Sequence, residues 1–183
     1  MSEPRKLQLL DKGRLEVTLR RLCFQLIENH GDFSGSVMLS IQPRGIALGR
    51  RIHSLLTSIV PKLVLPYGEL DVTFFRDDFR RSSNPLKPNS TSVNFLIEGK
   101  KVILVDDVLY TGRTIRAAMD AMMAFGRPEK VELLVLVDRR QKRDLPIKPD
   151  YTGLQIDSLD SEKVFVRLKE TSNEDKIWIE SKD

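Results

Sequence analysis

Two adjacent aspartates, Asp106 and Asp107, follow a run of four apolar residues, Val102–Val105. Such a run predicts a buried strand, which brings both carboxylates to its open end. A small loop containing Thr111 and Gly112 then leads into a helical pattern. Free backbone N–H groups and the helix dipole at that point favour a phosphate. Carboxylates beside such a cradle suit a sugar phosphate, because they accept hydrogen bonds from ribose hydroxyls while the cradle donates to the phosphate.

The aspartate pair alone leaves two other interpretations open. An apolar strand ending in Asp-Asp also resembles the Mg²⁺-holding strand of P-loop NTPases, but the chain contains neither G-x-x-x-x-G-K-[ST] nor G-x-G-x-x-G. Adjacent acids after a strand can also be solvated turn residues. The whole pattern from Val102 to Thr114 favours the functional interpretation over both.

Alternating strand and helix patterns surround this segment. Apolar residues recur at helical spacing from Leu15 to Leu26 and predict a helix with Cys23 in its buried stripe. Apolar runs predict strands at Val37–Ile41, Leu70–Phe75, Lys101–Val105 and Val131–Val137, and further helical stripes run through Ile46–Ile59 and Ile115–Phe125. This order predicts an α/β fold with a parallel, doubly wound sheet. Ligands in such sheets bind beyond the carboxyl ends of the strands.

The composition is that of one ordinary domain, with 183 residues, 40% of them hydrophobic and 31% charged. These values exclude a disordered tail, a collagen-like repeat and a membrane span. The net charge of +4 is compatible with a nucleic-acid or polyanion partner. The single cysteine cannot form an internal disulfide, and the first residues have no run suited to a signal peptide. We therefore expect a cytoplasmic protein without membrane contact.

The segment from Arg76 to Val93 contains Pro85 and Pro88 and shows no hydrophobic periodicity. Structureless loops of this length inside compact domains are usually functional. We therefore expect this segment to be a long mobile loop with a functional role.

The segment from Val102 to Thr114 resembles the phosphoribosyl diphosphate (PRPP) binding motif of type I phosphoribosyltransferases. Further segments resemble the PyrR family: Gly68–Asp78, Gly126–Pro128, Val135–Arg139, Leu145–Ile147 and Ser161–Val164. The resemblance extends from about Leu15 to Val166. It implies one domain over residues 1–183 with the type I phosphoribosyltransferase fold. The core would span about residues 35–140, and a small hood would come from the chain ends, about 1–30 and 141–183.

The PyrR family comprises uracil phosphoribosyltransferases, many of which also attenuate pyrimidine operons by binding messenger RNA. The resemblance implies an enzyme that converts uracil and PRPP to UMP and pyrophosphate with Mg²⁺. Asp106 and Asp107 would hold the ribose hydroxyls and Mg²⁺, directly or through water. Pro43, Arg44 and Gly45 match the pyrophosphate loop, and Arg44 would assist catalysis. The long mobile loop, with Arg76, Asp77, Asp78 and Arg80, would close over PRPP and exclude water. The implied PRPP-binding residues are Asp106, Asp107, Val108, Tyr110, Thr111, Gly112, Arg113 and Thr114.

Tyr110 helps to choose the base. Purine enzymes of this superfamily have a carboxylate at the third residue after the aspartate pair, where it takes or shares the proton on purine N7. A phenol with a pKa of about 10 is a poor base at neutral pH. The tyrosine therefore favours a pyrimidine, and a phosphoribosyltransferase for another base is the enzyme alternative. Uracil would be bound by main-chain groups around Val137, Asp138 and Arg139.

The alternative outside enzymology is an RNA-binding attenuator of a pyrimidine operon with vestigial catalysis. A dense basic stretch runs from Arg139 to Lys148, and Arg20 and Arg21 lie on the first helix. Basic clusters of this kind can contact phosphates. Arg21, Arg143 and Lys148 are the candidates for contacts with a messenger RNA leader. We also expect a homodimer or a higher homo-oligomer.

The sequence departs from the regulatory members of the family at positions implicated in RNA recognition. Arg20 replaces their usual Thr, Phe24 their His, Asn29 their Arg and Leu154 their Lys. These departures favour the enzyme over the attenuator.

Overall fold

The computed structural model describes residues 6–77 and 90–181, which form two sheets and four α-helices. The strands are β1 (Lys6–Leu10), β2 (Ser36–Ile41), β3 (Tyr67–Leu70), β4 (Lys101–Leu109), β5 (Lys130–Arg139), β6 (Tyr151–Ile156), β7 (Glu162–Arg167) and β8 (Lys176–Ser181). The helices are α1 (Lys12–His30), α2 (Gly45–Ile59), α3 (Arg113–Met122) and the short α4 (Lys169–Ser172). The central sheet has five parallel strands in the order β3-β2-β4-β5-β6.

Helices cover both faces of the central sheet. Alternate strand residues, such as Met38 and Ile103, face α1 and α2, whereas Val37 and Val102 face α3. The two resulting layers of apolar side chains confirm the predicted parallel, doubly wound α/β fold. Within the two described ranges, no helix combines the length and apolar character that crossing a membrane requires.

Helix α1, which lies within residues 1–30 predicted for the hood, packs against α2 and β6. Asp11 caps its first turn by accepting a hydrogen bond from the Arg14 amide at 2.8 Å. The apolar stripe of the helix is buried against α2 and β6, and Cys23 lies in it as predicted. Burial raises the pKa of the Cys23 thiol to about 12, which makes it an inert core residue.

The hood is a three-stranded antiparallel sheet in the order β1-β8-β7. Arg51 on α2 fixes it to the core, because its guanidinium pairs with Glu170 and lies 2.8 Å from Asp175. Strand β6, which was also expected in the hood, extends the central sheet instead, with Tyr151 in register with Leu134. The chain ends therefore supply the hood strands. Helix α1, with its apolar stripe, and β6, which pairs in parallel with β5, instead pack with the central sheet.

The predicted strand over Leu70–Phe75 is wrong beyond Leu70. Asp71 accepts hydrogen bonds at Oδ1 from the amide and the hydroxyl of Thr73, at 2.9 and 2.6 Å. A side-chain acceptor at this spacing offers the backbone an alternative to the sheet ladder. Residues Thr73–Phe75 accordingly form a 3₁₀ turn, and Phe74 is exposed.

Candidate active site

A cavity of about 970 Å³ lies where β2, β4 and β5 end, and the hood segment Asp160–Val164 forms one of its walls. Parallel strands present their carboxyl ends at one edge of the sheet, so loops distant in sequence meet there. The cavity lining includes these predicted site residues: Pro43, Arg44, Arg76, Asp77, Asp106, Asp107, Val108, Tyr110, Thr111, Gly112, Arg113, Thr114 and Arg139. Asp78 and Arg80 lie outside the described residues.

The aspartate pair lies within β4, not after it, because β4 keeps its pairing with β5 as far as Leu109. Both residues are buried, with Asp106 6% and Asp107 7% exposed. Asp106 Oδ1 accepts a hydrogen bond from the Asp107 amide at 3.0 Å, and Asp107 Oδ1 accepts one from the Val108 amide at 2.7 Å. The remaining carboxylate oxygens are therefore the groups available to a ligand in the cavity.

The electrostatics of the pair favour a ligand that supplies positive charge or hydrogen-bond donors. Burial, followed by the charge of Asp107, raises the pKa of the Asp106 carboxyl well above its usual value. Burial also raises the pKa of Asp107, and the Arg44 guanidinium opposes that rise. Ribose hydroxyls and a divalent cation both relieve an ionised pair of this kind.

The loop after β4 is shaped as an anion cradle. Gly112 adopts a left-handed conformation with φ of 91°, and α3 begins at the next residue. The N-cap residue Gly112 has no side chain to cap α3, and no acidic residue lies in the first turn. The Arg113 amide donates to the Thr111 hydroxyl at 3.4 Å, a weak hydrogen bond that a phosphate at the helix N-terminus could replace. The loop is supported from behind, because the amide of Asp144 donates to the Thr111 carbonyl at 3.0 Å.

Arg113 joins the cradle to the start of the long loop. Its guanidinium lies 3.0 Å from Asp77 and 3.0 Å from Asp144. Asp77 also lies 2.6 Å from Arg116 on the next turn of α3. The predicted loop residue Asp77 is therefore fixed to α3 at the edge of the cavity.

The segment Pro43–Gly45 connects β2 to α2. Pro43 and Arg44 line the cavity, and Arg44 forms no ion pair with another residue in the described ranges. Gly45 does not line the cavity; a Cβ at this position would lie 2.5 Å from the Val105 carbonyl oxygen. This glycine allows the loop to approach the aspartate-bearing strand.

Of the three residues predicted around the base, Arg139 alone lines the cavity. Val137 is fully buried in the core, and the buried Asp138 carboxylate pairs with Arg143. Arg139 lies with its guanidinium carbon 4.0 Å from the ring centroid of Tyr110. The side of the cavity next to β5 is thus formed by a stacked arginine and tyrosine.

The hood segment Asp160–Val164 lines the cavity, although no sequence pattern predicts this role for it. The Tyr110 hydroxyl donates to Asp160 Oδ1 at 3.4 Å, and Lys142 lies 2.9 Å from the other oxygen of Asp160. The signal that could have found this wall is the stretch Ser161–Val164, one of the segments that resemble the family.

The residues predicted to contact RNA differ in their availability. Arg21 donates to the carbonyl oxygens of Thr152 and Gly153, at 3.1 and 2.6 Å. Arg143 donates to the Tyr110 carbonyl oxygen as well as to Asp138. Lys148 is exposed. Two of the three candidates therefore hold the fold together.

The aspartate pair fits a magnesium ion that is shared with a ligand. In the described parts of the chain, no three or more His, Cys, Asp or Glu side chains form a metal-binding group. Asp106 and Asp107 provide oxygen donors, which Mg²⁺ prefers, and Mg²⁺ usually binds one or two carboxylates together with waters and substrate phosphates. A dedicated cage made only of protein ligands does not fit this arrangement.

Comparison with known protein families gives a match to the phosphoribosyl transferase domain over residues 6–172. Curated relatives match nearly the whole chain. The "Bifunctional protein PyrR" of Desulfosudis oleivorans is 40% identical over 179 residues, which cover 98% of each chain. The protein of the same name from Enterococcus faecalis is 42% identical over 174 residues, covering 95% of this chain and 96% of its own.

Solved structures share the fold at low sequence identity. The hypoxanthine phosphoribosyltransferase of Trypanosoma cruzi superposes with a TM-score of 0.73 at 14% identity, covering 100% of this chain and 94% of its own. A hypoxanthine-guanine phosphoribosyltransferase from Bacillus anthracis gives 0.68 at 18% identity, with 100% of both chains covered. The architecture is therefore that of type I phosphoribosyltransferases.

Proposed function

The chain belongs to the PyrR family of phosphoribosyltransferases, and we propose that it transfers the phosphoribosyl group of PRPP to N1 of uracil, giving UMP and pyrophosphate. The observation that carries this proposal is the cavity in which the buried pair Asp106 and Asp107 lies beside the N-terminus of α3. Carboxylates for a ribose diol and amides for a 5′-phosphate are thereby combined in one site.

The reaction breaks the bond between C1 of the ribose and the pyrophosphate oxygen, and the electron pair leaves with pyrophosphate. The new bond joins N1 of uracil to C1, the N1 proton is released to water or to the departing pyrophosphate, and the transition state has oxocarbenium character. Catalysis then depends on positioning and charge stabilisation. Asp106 and Asp107 accept from the ribose hydroxyls, and the loop from Tyr110 to Thr114 holds the 5′-phosphate. Arg44 donates to the leaving pyrophosphate, which is the bidentate recognition that guanidinium groups provide.

Mg²⁺ completes the proposed site. When bound, it neutralises the charge that builds up on the leaving pyrophosphate. Asp106 and Asp107 would hold it, directly or through water, and their raised pKa values are consistent with a need for a neighbouring cation.

The residue at position 110 supports a pyrimidine as the acceptor base. The Tyr110 ring is covered on one face by Arg139, and its hydroxyl points to Asp160. No carboxylate is present at this position of the chain to accept a proton from purine N7. Uracil would be bound in the end of the cavity formed by Tyr110, Arg139 and the segment Asp160–Val164.

Consumption of PRPP in parallel with uracil, orotate, hypoxanthine and guanine tests this function. We expect turnover with uracil, release of pyrophosphate and formation of UMP. Turnover with a purine and none with uracil would overturn the assignment of the base. Absence of turnover with every base in the presence of Mg²⁺ would overturn the enzymatic function itself.

Regulation through RNA is the second proposed function, and the word "bifunctional" in the names of the relatives supports it. Lys148 and Arg20 are exposed basic residues that could contact RNA phosphates. Titration of a pyrimidine-operon leader RNA and a scrambled RNA of equal length, with and without UMP, tests this role. We expect tighter binding of the leader with UMP, whereas equal affinities would exclude sequence-specific regulation, because charge alone gives salt-sensitive binding to any RNA.

A further inference from the structure

Arg139 is a buried cation at the end of β5 that interacts with neutral oxygens of the hood. Its residue is 6% exposed, and in the described ranges it forms no ion pair with a carboxylate. Nε donates to the Ser158 hydroxyl at 2.7 Å, and Nη2 donates to the carbonyl oxygens of Leu159 and Glu162, each at 3.0 Å. Burying a charge is costly unless it is fully hydrogen-bonded. A buried arginine here therefore requires that its acceptor oxygens keep this arrangement.

The three oxygens that accept from Arg139 bracket residues 160 and 161, which face the cavity. Because the carbonyl groups on both sides of this pair are bound to one planar guanidinium, their peptide planes have a fixed orientation. The same guanidinium stacks on Tyr110, 4.0 Å from its ring centroid. Arg139 therefore fixes the hood wall and the tyrosine of the PRPP loop relative to one another.

We propose that Arg139 is a positioning residue for the nucleobase, which sets the spacing between Tyr110 and the hood wall without touching the reacting atoms. The inference rests on the proposed function, because it concerns the end of the cavity that would receive uracil. The aspartate pair and the α3 N-terminus make no hydrogen bond to Arg139. Loss of the guanidinium should therefore affect binding of the base and leave the binding of PRPP largely unchanged.

Three variants test this role by steady-state kinetics with uracil and PRPP varied separately. Arg139→Gln and Arg139→Lys should each raise KM for uracil about tenfold or more, since small displacements of a binding wall are costly, and change KM for PRPP much less. The lysine variant keeps the charge, but its single nitrogen cannot occupy the positions of both Nε and Nη2, so it should fail in the same way. Ser158→Ala removes one acceptor and should give a smaller rise in KM for uracil with little risk to folding.

Arg140→Gln is the matched control. Arg140 is the next residue along the chain and is exposed. It pairs with Asp157, which follows β6, at 2.7 Å, and neither residue lines the cavity. We expect its kinetic constants to equal those of the wild type. Two results would overturn the positioning role while leaving the proposed function intact, provided that the wild type turns over uracil. One is an unchanged KM for uracil in the two Arg139 variants and in Ser158→Ala. The other is a rise of KM for PRPP in these variants as large as the rise of KM for uracil. Absence of uracil turnover in the wild type would instead overturn the proposed function and this inference with it.

Discussion

Gly45 approaches the carbonyl group of Val105 so closely that a Cβ on the glycine would lie 2.5 Å from the carbonyl oxygen. The obstacle is backbone, which cannot rotate away as a side chain could. Gly45→Ala should therefore push the start of α2, and with it the pyrophosphate loop, away from β4. We expect a loss of about 1–3 kcal/mol in the free energy of unfolding and a fall of about tenfold or more in kcat/KM for PRPP.

Gly13→Ala provides the control for that substitution. Gly13 lies in the first turn of α1, where a Cβ would make an ordinary contact of 3.6 Å with Asp11. Urea denaturation should show unchanged or increased stability for Gly13→Ala, because alanine favours the helix by about 1 kcal/mol over glycine. Equal stability losses in the two variants would show that the close approach at Gly45 has no special importance.

Asp107→Asn should lower kcat/KM for PRPP by about 100-fold, because a charge that stabilises the transition state is removed while the side-chain volume is kept. The amide oxygen can still accept from the Val108 amide, so the fold should be retained. Asp120→Asn is the matched control, since Asp120 is an exposed residue of α3 that pairs with Arg116 at 3.1 Å. A normal rate in Asp107→Asn would remove the aspartate pair from the mechanism.

Asp106→Asn should stabilise the protein at neutral pH in the absence of divalent cations. Burial and the neighbouring Asp107 raise the pKa of Asp106, so the folded protein retains a proton that the unfolded chain releases. The free energy of unfolding therefore falls as pH rises above the usual value of 3.8. We expect a gain of about 1 kcal/mol for the variant at pH 7 to 8 in EDTA, which shrinks as the pH falls and both carboxyls become protonated. A variant less stable than the wild type at pH 8 would contradict this.

His30 predicts the opposite dependence on pH. Its side chain is fully buried, with Nε2 2.8 Å from Glu132 and Nδ1 2.8 Å from the Ser36 hydroxyl. A neutral imidazole satisfies both contacts by donating to Glu132 and accepting from Ser36. Burial lowers the pKa of His30 despite the opposing effect of Glu132, so the unfolded chain binds the proton more readily.

Stability should consequently fall as pH drops below the usual histidine value of 6.5, with a slope of up to about 1.4 kcal/mol per pH unit. Urea denaturation between pH 5 and pH 8 measures this slope. His30→Gln should reduce it, whereas the same substitution at His53, which contacts the Leu65 carbonyl at 2.8 Å, is the control. Identical slopes in the wild type and His30→Gln would disprove the assignment.

The sequence predicted those parts of the molecule that follow from local patterns. The stripe from Leu15 to Leu26, the apolar run at Val102–Val105 and the glycine at position 112 each determine an element through their own spacing or conformation. The strand over Leu70–Phe75 was mistaken because the side chain of Asp71 competes with the sheet for the backbone. The competing structure depends on one side-chain hydrogen bond, and the alternation of apolar residues carries no information about such a bond.

Contacts between distant segments were beyond the reach of such patterns. The sequence predicts base binding for Arg139 and RNA binding for Arg143. In the structure, Arg139 donates to a carbonyl oxygen of the hood and Arg143 donates to the Tyr110 carbonyl oxygen. The charge of an arginine shows that it can bind an anion. It does not show whether the guanidinium already donates its hydrogen bonds to a carbonyl oxygen of the same chain. The wall at Asp160–Val164 was missed for the same reason, because the fold brings it to the cavity from outside the central sheet.

The pairing of β1 with β8 also determines the order in which the protein can be completed during synthesis. Lys6 lies 3.0 Å from Glu180, so neighbouring strands of the hood come from segments separated by nearly the whole chain. Every strand of the central sheet precedes β8 in the chain. Strand β7, which carries the cavity residues Glu162–Val164, pairs with β8, so this wall of the cavity is complete only when the last strand has been synthesised. A chain cut short before β8 would lack the strand that joins β1 to β7.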